Sequence, residues 1–164
     1  QWTLQRLAVM PITRAQLLGG KILTYFTLGM IQYLIIFAVG VAVGLDLGDD
    51  WIGLLLVMIA FVLCITALAF ALAIYMQNEE QAAGTARLLA LTLAPLGGAW
   101  WPLEIVPGFM QAIAKASPIA WAMQGFKEII FYGGSVLSIL PEVGILIAAA
   151  ALLFGVAIWQ FRVE

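Results

Sequence analysis

The side chains that could do chemistry are few, and their types exclude most classes of enzyme. The chain has no histidine and one cysteine, Cys64. Serine and metal-dependent intramembrane proteases need histidine, and a thiolate metal cluster needs several cysteines. An aspartyl protease needs two aspartates at membrane depth, but all the aspartates lie in the segment 46–50. We therefore predict that the chain is not an enzyme and binds neither a metal nor another cofactor.

Motifs for binding nucleotides and nucleic acids are also missing from the sequence. A Walker loop ends in Gly-Lys-Ser/Thr and has a second glycine five residues before its last one. Here Gly20-Lys21 is followed by Ile22, and Ala15 stands where the other glycine should be. No basic run could neutralise a row of phosphates, so nucleic acid is not an expected partner. Any ATP hydrolysis is expected on a separate subunit.

The elements that position these side chains are apolar enough to need lipid as their solvent. Hydrophobic residues make up 65% of the chain and charged residues 10%, with a mean hydropathy of +1.10, whereas soluble domains are about a quarter charged. The sequence predicts an all-α, polytopic transmembrane helical bundle, a single domain with four spans at about 20–45, 51–76, 86–103 and 140–161. The third span is the shortest, and Pro95 predicts a kink in it.

The basic residues predict the orientation of these spans. Two of them, Lys115 and Lys127, lie on the side that also carries most of the acidic residues. The other five flank the opposite side, at positions 6, 14, 21, 87 and 162. Both ends of the chain are therefore expected in the cytoplasm, in a cell (plasma or inner) membrane. Because the chain begins at Gln1 and has no signal peptide, we also expect it to be part of a longer protein.

Two segments outside the spans are amphipathic. The outer region 104–139 contains two helical patterns separated by Ser117-Pro118. These are too short to span, so we predict a re-entrant or amphipathic helical hairpin, an ordinary extracellular cap being the alternative. Residues 1–18 place Leu4 and Leu7 on one helix face before Pro11. That shape suits the docking of a soluble partner, although a surface helix without a partner has the same pattern.

Polar groups within the apolar blocks are few. Gln32 lies in the middle of the first span, where its amide is expected to find a partner across a helix interface or to face a cavity. Glu142 lies at the start of the last span, where a position at the membrane interface is expected rather than a buried one.

Three stretches in order resemble the permease subunits of ABC type-2 transporters. They are TLQRL and MPITR (3–7 and 10–14) followed by Gly20-Lys21, then 97–111, and then 117–126 with Ser117-Pro118 and Trp121. The resemblance implies six spans in the whole subunit, of which the last four are here. It also implies a second permease copy, in a homo- or heterodimer, and cytoplasmic ABC ATPase subunits as partners beside membrane lipid.

On this resemblance the chain is expected to belong to an ATP-driven exporter that moves substrate from the cytoplasm or inner leaflet outward. A non-transporting scaffold or assembly subunit and a passive channel or scramblase are the alternatives. The substrate is not readable, although the apolar spans favour a hydrophobic or amphipathic one. The resemblance places Phe109, Met110 and Trp121 at the outer gate, and it places these residues at the ATPase contact: Leu4, Arg6, Leu7, Met10 and Pro11.

Overall fold

The computed structural model describes residues 14–161, with side chains described from 19 to 160, and all regular structure in that range is helical. The six α-helices are α1 (Arg14–Ala42), α2 (Trp51–Ala73), α3 (Glu79–Leu96), α4 (Gly108–Ala114), α5 (Pro118–Ile130) and α6 (Leu140–Phe161). A single 3-10 turn at Leu103–Ile105 lies between α3 and α4. The all-helical bundle predicted from the sequence is confirmed.

Two sets of hydrogen bonds identify the two ends of the bundle. At one end the carboxylate of Asp50 caps α2, where Oδ1 accepts the Gly53 N–H at 2.9 Å and Oδ2 accepts the Val136 N–H at 2.7 Å. At the other end Nε2 of Gln160 donates to the hydroxyl of Tyr75 at 2.7 Å. We call these the Asp50 end and the Tyr75 end. Helices α2 and α6 therefore run in the same direction through the bundle.

The core lies between α2, α5 and α6. Glycines let these helices approach closely, since a Cβ atom on Gly125 would stand 2.9 Å from Cγ2 of Val57, and one on Gly53 would stand 2.6 Å from Cδ1 of Ile129. Lipid offers no hydrophobic drive for helices to associate, so such close van der Waals packing holds them together. The largest fully buried side chains are Met58, Ile129, Ile139, Leu146, Val57 and Cys64.

Helix α1 packs against this core through one edge, and an aromatic cluster makes the contact. The ring of Tyr33 lies 6.0 Å from that of Phe61 in α2 and 6.3 Å from that of Phe126 in α5. Phe37 lies 5.6 Å from Phe126 in an edge-to-face arrangement, a geometry that aromatic pairs prefer. The remaining faces of α1 are exposed and apolar, as a lipid-facing span requires.

Three helices among the described residues are long and apolar enough to cross a membrane, not the four predicted. They cover 19–42, 51–73 and 140–160, with mean hydropathies of 1.9, 2.9 and 2.2. The span predicted at 86–103 corresponds to α3, which begins at Glu79 and ends at Leu96. Its first turn carries two glutamates, which lower its hydropathy, and Pro95 with the following glycines ends it early. The third predicted span is therefore wrong as a continuous apolar helix that ends at 103, because α3 ends at Leu96.

Helices α4 and α5 form a hairpin that enters the bundle from the Asp50 end and returns to it. At the last turn of α5, Ile129 packs against Gly53 near the start of α2. At the first turn of α5, Pro118 lines a crevice together with Leu68 of α2. Leu68 lies fifteen residues beyond Gly53, which is ~22 Å along a helix that rises ~1.5 Å per residue. The turn between α4 and α5 thus lies deep among the spans, as a re-entrant hairpin requires.

Candidate functional site at the end of helix α3

Helix α3 ends inside the bundle, and the backbone that follows it is not helical. Gly97 and Gly98 are both buried, and Gly98 has a φ of +80° that favours glycine. A Cβ atom on Gly97 would stand 2.6 Å from Cβ of Ile119, in the first turn of α5. Irregular backbone at membrane depth is tolerated only where protein covers it or where it lines a cavity. The break in the backbone after α3 therefore defines a candidate functional site.

A polar cavity of about 370 Å³ adjoins this break, between the end of α3 and the hairpin. Gly97 and Gly98 form part of its wall. Its polar lining side chains come from the segment after α3 and from both hairpin helices, and they are Glu104, Gln111, Lys115, Gln124, Lys127, Glu128 and Tyr132. In a chain with so few charged residues, this concentration forms a site for a polar or charged group.

One ion pair ties the segment after α3 to α5. The Lys127 ammonium lies 3.1 Å from both carboxylate oxygens of Glu104, and this is the only ion pair among the side chains that the structure describes, those of residues 19–160. The backbone N–H of Glu104 and then the Lys127 ammonium lower the pKa of the Glu104 carboxyl below its usual value. Because the two residues are 23 positions apart, no local sequence pattern announces the pair.

Lys115 and Trp121 stand at the deep end of the polar cavity. The backbone turns there because Ser117 caps α5, its Oγ accepting the Ile119 N–H at 3.2 Å, and Pro118 opens the helix. The indole N–H of Trp121 donates to the carbonyl of Lys115 at 2.7 Å. Both residues also line a second cavity of about 420 Å³ between α2, α5 and α6, which we call the lateral crevice.

A third cavity, of about 460 Å³, lies between α1, α2 and α3, and we call it the apolar groove. Its walls are almost wholly apolar, and Gln32 is among its few polar groups. Of the two positions expected for this amide, a helix interface or a cavity, the structure places it at a cavity. Ile119 forms one end of this groove, while Gly97, which Ile119 contacts, lines the polar cavity. The contact between these two residues therefore separates the groove from the polar cavity.

The residues expected at an outer gate do not all meet at these cavities. Trp121 lines the polar cavity and the lateral crevice, whereas Phe109 is 68% exposed on α4 and Met110 beside it is half-buried. Neither α4 residue lines the polar cavity or the lateral crevice. The outer-gate assignment stays a prediction. So does the ATPase-contact assignment, because its residues lie outside the described part of the chain: Leu4, Arg6, Leu7, Met10 and Pro11.

Glu142 departs from its expected interfacial position, because it is only 8% exposed. Its Cβ lies 3.7 Å from the position that a Cβ on Gly125 would take. Because Gly125 of α5 has no side chain, the side chain of Glu142 fits between α5 and α6. Oε2 of Glu142 has no hydrogen-bond partner among the described residues. Sequence reasoning missed this position because it judged Glu142 by its distance from the end of a span, and burial depends on which face of α6 meets α5.

These features define a multi-pass helical membrane protein with a re-entrant hairpin. The first turn of α5 in this hairpin lies beside both the apolar groove and the polar cavity. Residues 3–159 match the family model described as ABC-2 family transporter protein, and the chain belongs to that family. The family resemblance predicted from the sequence is confirmed.

One relative is the linearmycin resistance permease protein LnrN of Bacillus subtilis (strain 168), which is 32% identical over 158 residues. The match covers 96% of this chain and 41% of the relative, so the chain spans about two-fifths of that protein's length. No solved structure gives a significant match to the chain.

Proposed function

We propose that the full-length protein is the membrane permease of an ATP-driven exporter that moves a hydrophobic or amphipathic compound outward across the cell membrane. Family membership and a relative named as a resistance permease support a role in transport. The observation that carries the proposal is the contact between Gly97 and Ile119, with an apolar groove on one side and a polar cavity on the other.

The two cavities suit two stages of export. The groove has the volume of a site for a drug-sized ligand, and its apolar walls favour a compound that partitions from the membrane. The polar cavity lies among charged side chains, which hold water and favour release. A movement of α5 that separates Ile119 from Gly97 would connect the apolar groove with the polar cavity. A transporter needs such a breakable contact, since a permanent opening would be a passive leak.

The proposed direction depends on orientation, with the Tyr75 end in the cytoplasm. Lys21 lies at the start of the first span and Arg87 in the first half of α3, whereas the three aspartates lie at the other end. Cysteines introduced at Asp49 and at Asn78 in a Cys64→Ser background test this. A membrane-impermeant maleimide applied to intact cells should label the first and not the second. The reverse pattern would invert the topology and with it the export direction.

ATP hydrolysis in this proposal belongs to a cytoplasmic ABC ATPase bound through the segment 1–18, with a second permease copy completing the transporter. Proteoliposomes containing the full-length protein and this ATPase provide the test. Linearmycin is the first compound to try, because LnrN is named for resistance to it. We expect movement that requires ATP and stops when the Walker lysine of the ATPase is replaced. Movement without ATP would instead favour a passive channel or scramblase.

The Gly97–Ile119 contact has its own test in the same vesicles. Ile119→Ala removes the γ and δ carbons and leaves only Cβ against Gly97, so the closure of the groove is weakened and we expect passive leakage of the compound to rise without ATP. Ile113→Ala is the matched control, because Ile113 is 55% exposed on α4 and lines neither the groove nor the polar cavity. Equal leakage through both variants, or no increase with Ile119→Ala, would show that this contact is not the barrier.

A further inference from the structure

Lys115 is a cation placed where a membrane protein rarely keeps one. It shares the lateral crevice with Cys64 of α2 and with Leu152 of α6. The lining of the crevice on α6 runs from Ile145 to Leu153, five to thirteen residues after Leu140, which places the crevice ~8–20 Å from the Asp50 end at ~1.5 Å per residue. Ionisable groups at such depth are costly and mark functional sites.

No carboxylate of the described residues forms an ion pair with Lys115. Its side chain is exposed, lines both cavities and forms no ion pair with the side chains of residues 19–160. Two carboxylates, of Glu104 and Glu128, line the polar cavity with it, but Glu104 is paired with Lys127 and Glu128 makes no ion pair with Lys115. The Lys115 ammonium is therefore available to an anion that comes from outside the bundle.

The lateral crevice supplies an apolar channel that leads to this ammonium. Apart from Lys115 and the indole of Trp121, its walls are aliphatic or otherwise apolar side chains. Its volume of about 420 Å³ lies at the small end of the range for a drug-sized ligand, which suits one chain rather than two. An apolar chain in the crevice would put its head group where the crevice meets the polar cavity.

We propose that the lateral crevice binds a single-chain amphiphile with a carboxylate head group, the chain lying against α6 and the carboxylate on the Lys115 ammonium. This rests on the proposed function, and it adds to the apolar groove a second site that takes an exported compound of this class. A carboxylic acid enters the bilayer in its neutral form and recovers its charge beside the lysine. A phospholipid phosphate is held at the membrane surface, far from the depth of Lys115, and so fits this site less well.

Photolabelling tests the proposal in the full-length protein, without ATP, in nanodiscs of phosphatidylcholine. The probe is palmitate that carries a diazirine at the end of its chain. We expect adducts on the peptides that contain Cys64 to Leu68 or Ala149 to Leu153. Lys115→Gln should lower their yield at least tenfold, while Lys115→Arg keeps it within twofold. Lys21→Gln is the matched control, because Lys21 lies at the other end of the bundle and lines neither the polar cavity nor the lateral crevice, and it should leave the yield unchanged.

Two further probes test whether the crevice selects a free carboxylate over other head groups. A choline ester with the same photoreactive chain should label the crevice no more than background, because its head group is cationic. Photoreactive phosphatidylglycerol at the same mole fraction should label it less than palmitate. Equal or stronger labelling by either probe would overturn the proposal, the second in favour of a lipid site.

A second variant keeps the test decisive if Lys115→Gln fails to fold. Ala149→Trp fills the crevice without replacing the lysine, because Ala149 lines the crevice and is half-buried, and it should abolish labelling while leaving the elution volume of the protein unchanged. Persistent labelling in this variant would place the probe elsewhere and refute the assignment. ATP-dependent transport that survives without any palmitate labelling would overturn this inference alone, whereas labelling without transport in any assay would overturn the proposed function.

Discussion

Replacing Gly125 by alanine tests whether close packing of α5 on α2 sets the depth of the hairpin. The added methyl would stand 2.9 and 3.2 Å from the two γ carbons of Val57. Carbon atoms pack best at ~3.5–4.0 Å, and Val57 is β-branched and fully buried, so it has little freedom to move away. Overpacking of this kind costs ~1–3 kcal/mol of unfolding free energy.

A matched glycine isolates that cost from the effect of alanine on helix propensity. Gly144 in α6 has no atom within 4 Å of its Cβ position, so Gly144→Ala gains only the ~1 kcal/mol by which alanine favours a helix. The unfolding free energies of the two variants, measured by dodecyl sulfate titration in mixed micelles, should differ by ~1–3 kcal/mol.

Val57→Ala provides the second half of the test, because it removes both γ carbons. In that background Gly125→Ala should change the unfolding free energy by the same amount as Gly144→Ala does. Two outcomes would show that α5 does not pack on α2 as tightly as the structure indicates. One is equal unfolding free energies for Gly125→Ala and Gly144→Ala in the native background. The other is an unchanged difference between them in the Val57→Ala background.

Three further predictions concern other contacts. Asp50→Ala removes acceptors for two backbone N–H groups and should cost ~1–3 kcal/mol of unfolding free energy in the same titration, whereas the exposed Asp49→Ala should be nearly neutral. Since the pKa of Glu104 is lowered in the folded protein, its pairing stabilises above the unfolded pKa of ~4.3 and is lost as pH falls through the lowered value. The melting temperatures of the native protein and Lys127→Gln should therefore converge in acid, and a constant difference would contradict this. Leu7→Asp should abolish association with the ATPase in a pull-down of the full-length protein while membrane insertion stays intact, and normal ATPase recovery would refute the coupling assignment.

The positions of the apolar helices could be read from local sequence. Uncharged blocks predict spans, and the structure has helices beginning at Trp51 and Leu140 where blocks were predicted to begin. The start of α5 could be read as well, because Ser117 caps it and Pro118 suits its first turn. These features depend on neighbours within one or two turns, so they need no knowledge of what packs against them.

The sequence by itself determined that the chain is helical, that lipid is its solvent and that Ser117-Pro118 separates two helices. Only the tertiary structure decided that α3 ends beside Ile119, that Lys115 lies deep between two cavities, and that Glu142 is buried. The reason is that hydropathy sums properties along a segment. The relative heights of helices depend on which glycine meets which side chain across an interface, as Gly125 meets Val57, and those partners lie far apart in the chain.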